Sequence, residues 1–507
     1  MSYSGFIVVV DKLRPHPNAD KLNIATFFGN DVCVGKDIWP GEIGVYFPCD
    51  GQLSEEFCRE NNLVRKKDEN GNNIGGYMDP EKRNVTAIRL RGEKSDGLYC
   101  SLSCLTYTGV NMDDLEIGEP VTIINGHEIC KKYIPLRQTR NGSVSSGNRT
   151  RKHKVPVAPL FAEHADTEQL AYNLGVFKPG DEIEITLKMH GTSQRTGYLP
   201  TFAGYSDSWF CNLRNKIWFY FNKLTHKNDL HTTLDSFKHD GNPRYEMNYV
   251  TGTRRTVLDN YSGGFYGDNA FREKHAKKFE GKLQKGETVY YEVVGFTNTG
   301  APIMASANNS KMNDKEFIKQ YGKETVFSYG CDPRSREEQE GFLVEEIGCG
   351  LVDFKSCVKP QSDIYVYRMT MTNEDGYTVE YTPDFMRYRC EQMGVKTVPV
   401  FAKVYVKDNA VIAHYTDGTC SGGNIPDGWT IGDAVKDIAE KFYDGPDPIG
   451  KNHVREGVVV RIINRPKFCA FKHKNFAFKV LEGLIKAEAK APDMEESQEC
   501  DKEAENE

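Results

Sequence analysis

Long apolar runs are missing from this chain. A membrane-spanning helix needs about 18 or more consecutive apolar residues, and the longest run near the start is only Phe6 to Val10. An integral-membrane reading is excluded and no membrane partner is expected. No basic, apolar, small-residue signal stands ahead of that run, which sets a secretory reading aside. The common phosphate and metal devices are also absent: there is no GxxxxGKS or GxxxxGKT, no GxGxxG opening a helix and no HExxH. A P-loop enzyme and a zincin are thereby excluded. There is no CxxC. The 14 cysteines are scattered, and the nearest pair, Cys100 and Cys104, has the wrong spacing for a zinc ribbon or a thioredoxin motif. In a chain large enough to need no bridges they read as reduced, core-packing thiols of a cytoplasmic protein, in the host cytoplasm if the chain is viral.

Positive charge is not in excess. The 65 bases and 72 acids give a net −7, and residues 487–507 alone hold nine acids and two bases, so the remainder balances at 63 against 63. The tail, 486–507, reads as an acidic, disordered, solvating segment. A phosphate-binding face stays open, because clustering of bases matters more than their total.

What is present is length and pattern. At about 150 residues per domain, 507 residues imply about three domains or two large ones. Short β-rich runs at Phe6–Val10, Glu42–Phe47 and Val85–Leu90 alternate with turn residues, which predicts a small β-barrel or sandwich with an insertion over 1–135. Between Arg137 and Lys154, Gly, Ser and Asn dilute six bases with no apolar periodicity, so 136–154 reads as a basic flexible linker. Strand and helix patterns mix from 155 to 485 without a fixed repeat, and an α+β domain is expected there.

One stretch carries chemistry, EIEITLKMHGTSQR, Glu182 to Arg195. Ile183, Ile185 and Leu187 alternate with polar residues, so they share the core face of a strand and Lys188 ends it on the polar face. Gly191 follows and permits a tight turn or a close approach to a ligand. A lysine so placed is either a solvated strand end or, if it loses its proton beside a cation, a nucleophile. Further on, Lys472 and Lys474 stand two apart on an apolar strand and can straddle a phosphate. Glu292 and Glu456 border β-branched runs, where a carboxylate can hold a hydrated Mg²⁺. Tyr365 and Tyr367 share a face, and either can stack on a base.

Taken in order, these stretches resemble the motifs of covalent nucleotidyltransferases. Lys188-Met189-His190-Gly191 is similar to the nucleophile motif, with His190 as in one group of RNA ligases where DNA ligases and capping enzymes carry Asp. VYYEVVGF (Val289 to Phe296), IYVYRMT (Ile364 to Thr370), REGVVVRI (Arg455 to Ile462) and FKHKNFAFK (Phe471 to Lys479) resemble the motifs that follow. TGTRRTVLD (Thr251 to Asp259) resembles the arginine-bearing segment between the first and third, with Arg254 or Arg255 touching ribose or the reacting 5′ end, and Arg195 a further candidate of that kind. RPHPNADKLNIATFFGNDVCVG (Arg14 to Gly35) and RLRGEKSDGL (Arg89 to Leu98) resemble OB-type tRNA-binding modules.

The resemblance implies an N-terminal OB-type β-barrel followed by a nucleotidyltransferase domain of antiparallel sheets and helices. That order is similar to the branch of ATP-dependent RNA ligases sometimes counted as the fifth family. It further implies Lys188 as nucleophile, with His190, Gly191, Glu292, Glu456, Lys472 and Lys474 around ATP and Mg²⁺ or Mn²⁺, the two glutamates holding metal through water. The expected partner is RNA with 3′-OH and 5′-phosphate ends, and the expected state a monomer. A capping guanylyltransferase, a DNA ligase and a non-catalytic RNA-binding scaffold are the alternatives. The stretch from Asp207 to Asp240 has no counterpart in the resemblance.

Overall fold

The computed structural model describes residues 3–67, 73–133, 155–225, 239–258, 261, 270–298, 303–304, 315–322, 362–450 and 453–480. The expected linker, 136–154, and the tail, 486–507, lie outside the described residues. The architecture is mixed α and β, as the patterning implied.

In the amino-terminal portion the apolar runs become strands. Gly5–Val9 pairs antiparallel with Ile43–Phe47, which pairs with Leu98–Ser101, and Pro120–Val121 completes a four-stranded sheet. Leu13–Pro15, Leu22–Phe27 and Asn30–Gly35 form a separate three-stranded sheet, and Ala87–Leu90 with Glu93–Asp96 a hairpin. Two apolar clusters fill this portion, one around Ile7, Val45, Phe47 and Phe57, the other around Val8, Phe27, Val32 and Tyr46. The expected single barrel is therefore resolved into several hydrogen-bonded sheets, with no closed barrel among the described residues.

The two stretches that resemble the tRNA-binding module pack on each other. His16 Nε2 is 3.0 Å from the Leu90 carbonyl, Asn18 donates to the Arg91 carbonyl at 3.0 Å, and Arg91 returns a bond to the Asn18 carbonyl at 3.1 Å. Much of that signature is thus spent on holding a turn against a hairpin.

The rest of the chain is built on two sheets. The first has seven strands in the order Glu168–Gln169, Cys469–Lys474, Gly457–Ile462, Glu182–Leu187, Val400–Lys407, Ala410–Tyr415, Cys420–Asn424. The second runs Pro243–Gly252, Thr192–Tyr205, Glu287–Gly295, Ser362–Thr372, Thr378–Glu380, with Lys396–Thr397 alongside Ser362–Thr372. One core gathers Ile183, Ile185, Leu187, Val404, Val458 and Val460 of the first sheet with helix Ile431–Glu440, and another packs Val289, Tyr291, Val293, Val366 and Met369 of the second. Local chemistry starts and stops the helices. Thr430 and Asp433 form a capping box at the start of Ile431–Glu440. Helix Pro383–Met393 has Thr382 as N-cap and closes on Gly394 at φ +68°.

Only four residues, Lys188 to Gly191, join Glu182–Leu187 of the first sheet to Thr192–Tyr205 of the second. The crossing is tight because Gly191 has no Cβ: one there would stand 2.3 Å from the Val293 carbonyl oxygen.

Candidate active site

The two sheets and the amino-terminal portion enclose a cleft of about 540 Å³, lined by Lys188, Arg254, Glu292, Tyr367, Lys472 and Lys474 from the second part of the chain and by Tyr3, Phe6, Cys49, Asp50 and Lys132 from the first. These residues lie far apart in sequence; the crossing loop, the strand Glu287–Gly295, the strand Ser362–Thr372 and the strand Cys469–Lys474 deliver them to one place.

Glu456, His190 and Gly191 stay off the lining, and the buried Glu456, its side chain 2% exposed, sits behind the cleft wall against Lys188 and Lys474, which do line it. Lys188 Nζ lies 2.6 Å from Oε1, His190 Nδ1 2.7 Å from Oε2, and Lys474 Nζ 3.6 Å from Oε1. Burial alone would raise the Glu456 carboxyl, but Lys188, His190 and Lys474 outweigh it and hold it well below the usual carboxylate range. Glycine is again required beside it. Gly457 adopts φ +149°, and a Cβ there would meet the His473 carbonyl at 2.2 Å. That approach lets the Gly457 carbonyl accept from the Lys188 amide at 3.0 Å and fixes the lysine backbone.

Lys472 pairs across the ladder with Val459 and Lys474 with Gly457, so both side chains leave the same face of the strand. Burial, then Lys474, Lys188, Arg254 and Lys132, push the Lys472 ammonium down to about 8. Such a concentration of positive charge is matched by a polyanion. Arg254 reaches the cleft and pairs with Asp166 at 2.6 Å, and Arg255 meets the other oxygen of Asp166 at 3.2 Å. Burial would raise the Asp166 carboxyl, but Arg254 and Arg255 hold it low. His164, beside Tyr367 with ring centroids 5.2 Å apart, is kept neutral by burial and by Arg254, Arg368 and Arg195.

Several expectations change. Glu184 and Thr186, on the polar face of the Glu182–Leu187 strand, are buried and line the cleft. Glu184 is neutralised by Arg387 at 2.8 Å. Arg195 does not line the cleft. It is 1% exposed, stacks on Phe161 at 4.4 Å, and donates to the carbonyls of Ala162 at 2.8 Å and Arg254 at 3.0 Å. Its place is beneath the Arg254 segment, as a support. Arg255 also stays off the lining. Of the two tyrosines, Tyr367 faces the cleft, its hydroxyl 2.9 Å from Ser193 Oγ, whereas Tyr365 is packed into the core of the first sheet. Asp166, His164, Lys132 and Lys479 were not anticipated as functional residues. A lysine at the end of the last motif stretch was the only visible hint among them.

The amino-terminal portion is latched onto this site. Lys479 Nζ meets Asp96 at 2.5 Å, and Phe6 stacks on Tyr172 with centroids 5.1 Å apart. Burial would lower the Lys479 ammonium, but Asp96 raises it above its ordinary value.

No family model and no curated protein matches the chain. Among solved structures the chain is similar to a mutant of an RNA ligase from Naegleria gruberi with AMP and Mn, at 15% identity over 94% of this chain and 97% of the other, with a TM-score of 0.48. It is also similar to that RNA ligase with PPi, at 16% identity over 95% and 98%, with a TM-score of 0.47. No helix among the described residues is long and apolar enough to cross a membrane.

Proposed function

We propose that this protein is an ATP-dependent RNA ligase that joins 3′-OH and 5′-phosphate ends through lysyl-AMP and RNA-adenylate, in RNA repair. The observation that carries the reading is the convergence of the widely separated motif residues Lys188, Glu292, Tyr367, Lys472 and Lys474, with Arg254, on one cleft, with Glu456 paired to Lys188 behind its wall.

The chemistry follows from what surrounds each group. Lys188 attacks the α-phosphate of ATP and pyrophosphate leaves; the RNA 5′-phosphate then takes AMP from Lys188; the 3′-OH finally displaces AMP. Each step is an in-line displacement at phosphorus, in which positioning and charge neutralisation dominate. Lys472 and Lys474 neutralise the phosphate under attack, and Tyr367, braced by Ser193, offers its ring to the base. His190 and Lys474 hold Glu456 in place when Lys188 departs from it. Glu292 on the cleft wall and the ionised Glu456 behind it are hard oxygen donors that would hold Mg²⁺ or Mn²⁺ through water. A bound divalent ion there supplies charge that favours the uncharged form of Lys188 and neutralises phosphate oxygens.

Segments 1–135 and 155–485 are read as an OB-type RNA-binding domain and a nucleotidyltransferase domain, joined by the basic segment 136–154 and followed by the acidic tail 486–507. Tyr3, Phe6, Cys49, Asp50 and Lys132 of the amino-terminal segment also stand on the cleft wall. A monomer with reduced thiols in the cytoplasm is the accompanying state. The test is incubation with labelled ATP or GTP and Mg²⁺ followed by a denaturing gel. Retained AMP, with sealing of RNA, supports the ligase. Retained GMP favours a capping enzyme, preference for nicked DNA a DNA ligase, and no label a scaffold.

A further inference from the structure

The stretch without counterpart in the resemblance contains helix Trp209–Thr225, carried between strands Thr192–Tyr205 and Pro243–Gly252. Its orientation is inverted. The side turned to the protein bears Cys211 and Asn215, 4% and 7% exposed. Trp209, Phe210, Leu213, Ile217 and Tyr220 point outward, at 68%, 76%, 39%, 61% and 55% exposure, while a sixth exposed aromatic, Trp218 at 45%, lies toward the Cys211 side. At about 100° per residue these five fall in one sector roughly 100° wide, opposite the Cys211–Asn215 strip. Arg214 and Lys216, both exposed, flank the sector on its two sides. The helix sequence has three basic residues and no acidic one.

A surface helix of a globular protein normally turns its apolar stripe to the core. Here the stripe is presented to the outside on a fixed mount. Asp207 Oδ1 accepts the amides of Asp240 and Gly241, each at 3.1 Å, Asp240 accepts the Ser208 amide at 2.9 Å, and His239 stacks on Tyr205 with centroids 3.8 Å apart.

The composition of the sector selects its occupant. Leu213 and Ile217 at its middle offer no π-face, so a single-stranded nucleic acid would leave them unused. A second copy docked through this face would bring Arg214 and Lys216 of two acid-free helices together, with like charges opposed. An anionic lipid surface satisfies both parts: aromatic and aliphatic side chains enter the headgroup boundary while the flanking bases meet negative headgroups.

We propose that helix Trp209–Thr225 docks this protein peripherally on anionic membranes, against the sequence-based expectation of no membrane partner, with Trp209, Phe210, Leu213, Ile217 and Tyr220 entering the headgroup region. The cleft keeps clear of the contact. The strand Thr192–Tyr205 separates the two, and its 14 residues at about 3.3 Å each place the helix up to roughly 45 Å from the Lys188 crossing.

The test uses the full chain and vesicles of phosphatidylcholine with or without about a third phosphatidylserine, read by co-sedimentation. The wild type is expected to sediment with the anionic vesicles and not with neutral ones, and to be released by high salt. Leu213→Ser with Ile217→Ser is expected to lower the partition coefficient roughly tenfold or more with an unchanged thermal midpoint. Arg214→Glu with Lys216→Glu is expected to abolish the preference for anionic lipid. Wild-type protein that stays in the supernatant overturns the proposal, as does equal sedimentation of the Ser variant. Concentration-dependent dimerisation, or RNA affinity, lost in the Ser variant while vesicle binding is retained would overturn it in favour of another occupant.

Discussion

Replacing Lys472 by Met should make the protein more stable while disabling it. The Lys472 ammonium is pushed from its ordinary value near 10.5 to about 8, first by burial and then by Lys474, Lys188, Arg254 and Lys132. A lysine with a lowered folded-state pKa is held charged against its surroundings below pH 8. Between pH 8 and 10.5 the unfolded chain binds more protons than the folded one, so the penalty is complete below 8 and fades as pH rises toward 10.5. The fall, at about 1.4 kcal/mol for each pH unit, bounds the penalty at about 3 kcal/mol, and screening by solvent in the open cleft brings the expectation to about 1–3 kcal/mol. Met matches the stem of lysine without its charge. At pH 7 the Lys472→Met variant should therefore melt higher, by about 2–4 °C per kcal/mol for a domain of moderate size, and the difference should close toward pH 10. Adenylylation should fall by about 10²-fold or more, as for loss of a positioned charge. Thermal melts at a series of pH values, run beside the labelling gel, decide it. A Met variant less stable than wild type at pH 7, or a difference that ignores pH, would refute the argument that this cleft is electrostatically strained until phosphate enters.

Nucleotide binding should show the same charge from the other side. ATP should draw a proton onto Lys472 at pH 8.5 to 9, seen as buffer-dependent heat in calorimetry, and its affinity should fall as pH rises past about 8. Lys188→Ala should retain no covalent AMP on a denaturing gel; retained label would remove Lys188 from the nucleophile's place. Arg195→Ala should cost about 2–4 kcal/mol in urea unfolding by orphaning the carbonyls it serves, and an unaltered midpoint would show that they find other partners. Gly191→Ala should lower the melting temperature by several degrees, because its Cβ meets the Val293 carbonyl at 2.3 Å; tolerance of alanine would mean that the crossing can shift.

Much of the site was legible because it is built on strands. Period-two spacing placed Lys472 and Lys474 on one face and Lys188 at a strand end, and the order of the motif stretches supplied the rest. The same spacing separates two faces without saying what lies beyond either, so the burial of Glu184 and Thr186 was not legible in it. Tyr365 and Tyr367 also share a side, yet depth distinguishes them, with Tyr365 in the core. The ladder shifts register between Tyr290 and Tyr291, opposite this part of the strand, and no sequence pattern announces that. Asp166 and His164 sit in a stretch without regular structure, where periodicity says nothing. Arg195 misled because its residue type suggests phosphate, while its surroundings are backbone carbonyls gathered only by folding. In the amino-terminal portion the strand runs were visible to within a residue or two, but whether strands close into one barrel depends on long-range pairing.

The Lys479–Asp96 pair and the Phe6–Tyr172 stack bear on how such a protein can be recombined. A chimera cut at the Gly/Ser-rich segment between Arg137 and Lys154 looks modular on paper, yet each parent would contribute half of the cleft wall and half of a buried ion pair. An accessory module grafted from elsewhere would leave Lys479 charged with nothing to meet it. Productive exchange therefore demands that Phe6 and Asp96 travel with residues able to receive Tyr172 and Lys479, which makes the docking seam, and not the linker, the unit of inheritance.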